Sequence, residues 1–378
     1  MHGLYLHIPF CARKCPYCDF YSLGGASSSL KEEYAAALRR QIRLFGESGL
    51  FSGSENRFET LYIGGGTPPL LGERLLGGVL EAAFSAFSFL PEAEVTLEAN
   101  PETLTQPLLA ACRNAGVNRL SIGLQSGVEK EQKLLGRCHG NREVLEALEN
   151  ALALGYRNCS ADVMLALPGQ ETKQLTQTFS LLSQLPLQHL SAYLLKIEPG
   201  TPFAGQNLSL PSEDQAADQY LFFCDAVERM GFVQYEISNF THPGFESRHN
   251  LNYWNCGTYL GLGPGAHSFF QGRRRFYSRD LADYLSHSHS LWMPQEDGPG
   301  GDLEEYLMLR LRLTQGVPFD RLQQGWGIGP ALLKKARLRP RRLEEGGLLQ
   351  WGMKRFALTR QGFLVSNEAI LAVIEAFT

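Results

Sequence analysis

Short runs of strand-forming residues alternate with helically spaced segments through the first 230 residues, and this rhythm constrains the fold more than any composition figure. The runs are Gly3–Ile8, Glu59–Ile63, Glu94–Glu98, Arg119–Leu124, Cys159–Leu165 and His189–Leu194. Between them lie Leu30–Phe45, Leu70–Phe87, Thr105–Ala115, Asn141–Leu154 and Thr172–Gln184, and Ser212–Met230 follows the last run. A strand reaches a parallel neighbour only through a crossover, so the alternation predicts parallel β/α units. Six such units make an α/β core: a partial (β/α)6 TIM-like barrel, two units short of the usual eight. Reactive groups of such barrels gather at the C-terminal ends of the strands. The unusual residues here follow that rule. Cysteines come after the first run, Gly64-Gly65-Gly66-Thr67-Pro68 after the second, and Glu98 and Asn100 end the third. Gln125 follows the fourth run, and Asp162 lies in the fifth.

The cysteines read Cys11-Ala12-Arg13-Lys14-Cys15-Pro16-Tyr17-Cys18. Electron-carrying iron–sulfur clusters normally take four thiolates. Three leave one iron of a [4Fe-4S] cluster open to a small molecule. Structural zinc prefers four ligands, usually in two C-x2-C pairs, and fits this spacing less well. The C-x3-C-x2-C spacing is similar to that of the radical S-adenosylmethionine (SAM) proteins, in which SAM's amino and carboxylate groups chelate the open iron. The other five cysteines, at 112, 138, 159, 224 and 256, have no metal-like spacing and read as reduced thiols.

Single residues leave alternatives open. A glycine triplet makes a tight turn as readily as it bares its backbone to a ligand. A Glu or Asp at a strand end caps a helix as readily as Glu98 or Asp162 would bind ribose hydroxyls, with Arg137 free to neutralise a carboxylate.

A formal charge of −4 without an aromatic–basic stripe argues against nucleic acid as a partner. The N-terminus shows no signal peptide, and no run of ~18 apolar residues would span a bilayer, so the expected location is the cytoplasm. Residues 301–378 carry 12 Lys and Arg against 8 Asp and Glu, a net +4 that leaves −8 for residues 1–300. Their run Arg337-Leu338-Arg339-Pro340-Arg341-Arg342 reads as a solvated face or as a contact for the anionic inner face of a membrane. Phe319–Trp326, Ala331–Arg337 and Gly347–Thr359 read as helix, helix and hairpin, a smaller, mainly helical winged-helix-like domain. The expected division is 1–235 core, 236–300 connecting segment and linker, and 301–378 C-terminal domain.

Together Tyr5-Leu6-His7-Ile8-Pro9-Phe10-Cys11, Gly64–Pro68, Glu98-Ala99-Asn100-Pro101, Ser121–Gln125 and Asp162–Pro168 resemble the oxygen-independent coproporphyrinogen oxidase superfamily, from about residue 3 to residue 270. Its true oxidases carry a fourth cysteine two residues after the third and a longer N-terminal arm. Here position 20 is Phe, and ten residues precede Cys11. Both departures favour the HemW-type branch of haem chaperones. So does His249-Asn250-Leu251-Asn252-Tyr253-Trp254, which matches that branch's H-N-x-x-Y-W haem motif.

The resemblance implies cluster ligands Cys11, Cys15 and Cys18. It implies SAM contacts at Tyr5, Tyr17, Gly65, Gly66, Thr67, Glu98, Gln125, Arg137, Asp162 and Lys196. It implies haem, as cargo, at His249, Asn250, Tyr253 and Trp254, with His267 a neighbour of either site. It also implies haem-accepting partners, respiratory ones among them, and a cluster-dependent homodimer. The alternative function is radical decarboxylation of coproporphyrinogen III.

Overall fold

The computed structural model describes residues 2–51 and 57–377. Strand β1 (His2–Ile8) is followed by β2 (Phe10–Cys11) and β3 (Leu23–Gly24), two short strands that pair with each other in parallel. Then come α1 (Ser28–Glu47), β4 (Phe58–Gly65), α2 (Gly72–Ala86), β5 (Phe89–Ala99), α3 (Gln106–Asn114) and β6 (Arg119–Gln125). Two helices, α4 (Glu129–Leu134) and α5 (Asn141–Ala153), precede β7 (Cys159–Leu165). Next are α6 (Thr172–Leu182), β8 (His189–Leu194) and α7 (Glu213–Arg229). All six expected strands and all six helices are present, with bounds shifted by a few residues.

After β9 (Val233–Gln234) and β10 (Asn239–Thr241) come α8 (Arg248–Trp254) and β11 (Thr258–Leu262). Strand β11 lies parallel to β1, on the side of β1 away from β4. The sheet therefore has a seventh parallel strand, drawn from the glycine-rich stretch that carries no strand signal. Strands β12 (His267–Phe270), β13 (Arg273–Phe276) and β14 (Gln295–Pro299) extend that edge antiparallel, with α9 (Leu281–His287) between the last two. The far edge ends with β10 and β9, so the twelve strands form an open, mostly parallel sheet, not a closed barrel.

Alternation along each strand separates two chemistries. Leu4, Leu6, Leu61, Ile63, Val95, Leu97, Leu120, Ile122, Ala161 and Val163 face the helices and form the main core. The alternate positions place Tyr5, His7, Thr60, Tyr62, Glu94, Thr96, Glu98, Arg119, Ser121, Ser160, Asp162, His189 and Ser191 on the opposite face, buried or half-buried. Barrel interiors usually fill with branched apolar side chains. A buried polar lining is what a binding chamber requires.

The C-terminal domain has its own core around Leu307, Leu322, Phe356 and Ile370. It comprises α10 (Leu303–Arg310), β15 (Val317–Pro318), α11 (Phe319–Trp326), α12 (Pro330–Ala336), α13 (Arg341–Glu345) and the hairpin β16 (Leu349–Trp351)–β17 (Arg355–Leu358). Strand β15 adds a third strand to that hairpin, and α14 (Arg360–Leu364) and α15 (Ser366–Ile374) close the chain. No helix among the described residues is long and apolar enough to cross a membrane.

Candidate functional site at the mouth of the sheet

The β2–β3 pair pinches the cysteine loop shut at its base. Leu23 N donates to Pro9 O at 2.7 Å and Gly25 N to Cys11 O at 3.2 Å. Cys11, Cys15 and Cys18 are half-buried and none is in a disulfide. Donors from two other segments reach the sulfurs of Cys11 and Cys15. Thr67 Oγ1 donates to Cys11 Sγ at 3.7 Å and accepts from Asn100 Nδ2 at 3.3 Å. Arg137 Nη2 donates to Asn100 Oδ1 and to Gly123 O, while its Nη1 donates to Cys15 Sγ at 3.6 Å. Two thiols are thus linked through Thr67, Asn100 and Arg137. Gly123 is glycine for this reason: a Cβ there would come within 2.9 Å of Arg137 Nη2 and 3.0 Å of Gln125 Nε2. Gln125, buried, turns away from the strand at φ 68°.

These residues fit an iron–sulfur cluster with three thiolate ligands. Donors aimed at sulfur favour the thiolate form, and Arg137 keeps its Nε buried without a partner. Among the described residues no three His, Cys, Asp or Glu side chains, Cys11, Cys15 and Cys18 included, are gathered around one point as a single metal ion would require. Phe20, standing where the oxidases place a fourth cysteine, is 69% exposed.

The glycine triplet is dictated by packing as much as by any ligand. A Cβ on Gly64 would lie 2.5 Å from Glu98 Oε2, one on Gly65 2.4 Å from the His7 ring, and one on Gly66 2.6 Å from Phe10 O. The amides of the loop are taken as well. Gly65 N donates to Glu98 Oε2 at 2.9 Å, Gly66 N to Ile8 O at 2.9 Å and Thr67 N to Phe10 O at 2.7 Å. Backbone acceptors, not amides, are what this loop has to offer a ligand, and acceptors suit an ammonium group.

Glu98 also accepts from Tyr62 OH at 2.6 Å, and burial raises its carboxyl above the usual range. Asp162 is raised by burial too and accepts from Ser121 Oγ at 3.5 Å. Tyr17 packs near Phe203, with ring centroids 6.4 Å apart. Lys196 is exposed and paired with Glu198 at 2.8 Å. Tyr5 sits one layer deeper on β1, its hydroxyl 2.9 Å from Nδ1 of His7. Burial holds His7 at about 4, and its Nε2 meets Tyr21 O at 2.8 Å, tying the chamber to the end of the cysteine loop.

The H-N-x-x-Y-W segment lies at the opposite end. Helix α8 plugs the floor of the sheet, where Arg248 N and His249 N donate to the two carboxylate oxygens of Glu94, each at 3.1 Å. His249 is 1% exposed and stacks on Tyr62 at 5.1 Å. Its Nδ1 meets Thr60 Oγ1 and its Nε2 meets Tyr253 OH, both at 2.7 Å. Burial lowers its pKa to about 3, so it is neutral. The imidazole therefore offers no free nitrogen in this arrangement. Asn250 N donates to the capping Ser247 Oγ at 3.4 Å, and the buried Asn252 bonds Thr258 O at 3.0 Å. Trp254 keeps its Nε1 buried without a partner. His267 is far more open, exposed at the start of β12 with its ring stacked on Phe276.

Residues 5–182 match the model of the radical SAM superfamily, and residues 302–365 that of the HemN C-terminal domain. The sequence is 33% identical to "Heme chaperone HemW" of Bacillus subtilis (strain 168) over 99% of both chains. The chain belongs to the HemW family. Its Escherichia coli (strain K12) member is 35% identical over 84% of each chain. A bovine relative, "Radical S-adenosyl methionine domain-containing protein 1, mitochondrial", is 35% identical over 98% of this chain and 87% of its own. The fold matches a solved structure described as "Coproporphyrinogen III oxidase (HemN) from Escherichia coli is a Radical SAM enzyme", with a TM-score of 0.84, 21% identity, and coverage of 100% of this chain and 89% of that one.

Individual letters did not flag His7, Thr60 and Glu94, which organise the chamber and its floor. Their available signal was periodic: each is a polar residue at an alternate position of an apolar strand.

Proposed function

We propose that this HemW-family chain is a haem chaperone, which binds haem and hands it to haem-requiring proteins, and that it carries a SAM-binding [4Fe-4S] cluster. Cys11, Cys15 and Cys18 would hold the cluster, which when bound supplies an open iron and an electron for SAM. Arg137, Thr67 and Asn100 orient two of the thiolates. Gly65, Gly66, Glu98, Gln125 and Asp162 present acceptors toward the mouth, where a cationic amino acid and a ribose would sit. Tyr17 and the exposed Lys196 flank that space, and Tyr5 supports it from the layer below.

The observation that carries the reading is the conjunction of near-full-length similarity to haem chaperones with the complete H-N-x-x-Y-W segment folded as a unit, α8. For His249 itself to reach haem iron, α8 must leave the floor and give up the bonds to Thr60 and Tyr253. Location in the cytoplasm, contact with a membrane face and cluster-dependent dimerisation belong to the same proposal.

The test is anaerobic transfer. Haem-loaded, cluster-reconstituted protein is mixed with an apo haem protein, and the acceptor's Soret band should appear faster than with free haem at equal concentration. Steady conversion of coproporphyrinogen III to protoporphyrinogen IX with SAM and a reductant would overturn the proposal in favour of the oxidase.

A further inference from the structure

Between the mouth and the floor stands a residue that belongs to neither set of candidate ligands. Tyr62 lies on β4 between Thr60 and the glycine loop, half-buried, and it reaches in both directions. Toward the mouth its hydroxyl donates to Glu98 Oε1 at 2.6 Å, while the other carboxylate oxygen accepts from Gly65 N at 2.9 Å. Toward the floor its ring stacks on the imidazole of His249, with centroids 5.1 Å apart and planes 27° from parallel. One side chain therefore touches both a candidate SAM contact and the histidine of the H-N-x-x-Y-W segment.

Its neighbours hold it to that pair of contacts. Tyr5 packs beside both rings, its centroid 6.2 Å from that of Tyr62 and 6.5 Å from that of His249. A Cβ on Gly64 would come within 2.5 Å of Glu98 Oε2 and 2.9 Å of Tyr62 Cε1, so glycine is what lets the two side chains meet. Burial, and then the charge of Glu98, raises the Tyr62 hydroxyl well above its ordinary range, and it remains a donor. Burial raises Glu98 as well, while the bonds from Tyr62 and Gly65 favour its ionised form. A cation at the mouth favours that form further, and a hydroxyl bonded to an ionised carboxylate is held about twice as strongly as one bonded to a neutral acceptor.

We propose that Tyr62 is a positioning residue that couples the two sites: a cationic ligand beside Glu98 fixes the Tyr62 ring, and the fixed ring holds His249 and α8 against the floor. The coupling rests on the haem-chaperone reading and gives α8 a trigger for leaving the floor. With the mouth filled, the imidazole closes onto an ordered ring. With the mouth empty, each closure must also order that ring, and side-chain entropy opposes it. SAM and haem are thus antagonists, one favouring the sealed floor and the other the open one. Reciprocity requires each to weaken the other by the same factor, here about fivefold, at the lower end of ordinary couplings.

The test is amide hydrogen exchange of the α8 segment in the full, cluster-loaded chain with and without saturating SAM, followed by hemin titration of the same samples. In wild-type protein SAM should slow exchange across α8 about fivefold and raise the Kd for hemin about fivefold. Y62F keeps the ring and loses the hydroxyl; it should bind both ligands with the response of each to the other gone. T60V loosens His249 without touching Glu98, so its α8 should exchange faster and still respond to SAM. Equal exchange with and without SAM in wild-type protein, or a response that survives in Y62F, overturns the coupling. Slowed exchange beside an unmoved Kd for hemin overturns it too, because haem then binds without opening the floor. Failure of wild-type protein to bind hemin at all overturns the haem reading beneath it, and a reduced-cluster EPR spectrum unmoved by SAM overturns the SAM site.

Discussion

The two ends of the parallel sheet solve opposite problems. At the mouth, two of the three half-buried thiols receive side-chain donors, Cys11 from Thr67 and Cys15 from Arg137, and Arg137 still has a buried nitrogen unspent. At the floor, His249 has both nitrogens bonded and Glu94 has both oxygens on α8. A site that awaits a ligand leaves polar capacity unsatisfied, and a plug uses it up. By that criterion Arg137 at the mouth and Trp254, whose Nε1 is buried without a partner, both keep capacity for a ligand, while His249 is fully engaged in holding α8 to the floor.

The largest expected contrast between the ends is in iron content. C15A should abolish the brown chromophore of the reconstituted protein, taking about four irons per chain to nearly none. A floor variant such as T60V should leave iron unchanged. Equal iron in wild-type protein and C15A would end the assignment of the mouth.

Next comes the cost of breaching the floor. E94A strands the amides of Arg248 and His249 and removes the carboxylate that most favours the charge of the buried Arg119. It should cost about 3 kcal/mol in urea unfolding. A loss under ~0.5 kcal/mol would mean α8 is not anchored there.

The floor was only partly legible in the sequence. The order of strands and helices could be read because each β/α unit carries its own apolar periodicity. Strand β11 could not be, because Thr258–Leu262 holds two apolar residues and a glycine, and becomes a strand by pairing with β1. The mouth residues were legible because strand ends in such folds are where chemistry collects. That His249 would be sealed depends on Thr60 and Tyr62, some 190 residues earlier in the chain, and no local pattern encodes that distance.

A smaller effect is expected from pH. The unfolded chain protonates His249 near its ordinary 6.5, whereas the folded chain holds it neutral down to about 3. The unfolded state therefore binds the extra proton between those values, and this contribution to stability falls as pH drops through that window. Relative to H249Q, wild-type protein should lose about 1.4 kcal/mol per pH unit between pH 6 and pH 4. Parallel stability curves for the two proteins would place His249 in solvent.

Smaller still is the effect of N100A, which breaks the link between Thr67 and Arg137 without touching a thiol. The cluster should assemble fully, with its midpoint potential moved by tens of millivolts as donors to the sulfurs are lost. An unchanged potential in a protein film or redox titration would show that the ring does not tune the sulfurs.

The central claim is that the mouth binds SAM at a three-thiolate cluster, and the EPR spectrum of the reduced cluster tests it most directly. Saturating SAM should shift the g-values as its amino and carboxylate groups take the open iron. A spectrum identical with and without SAM, in protein shown to hold four irons, would contradict the account.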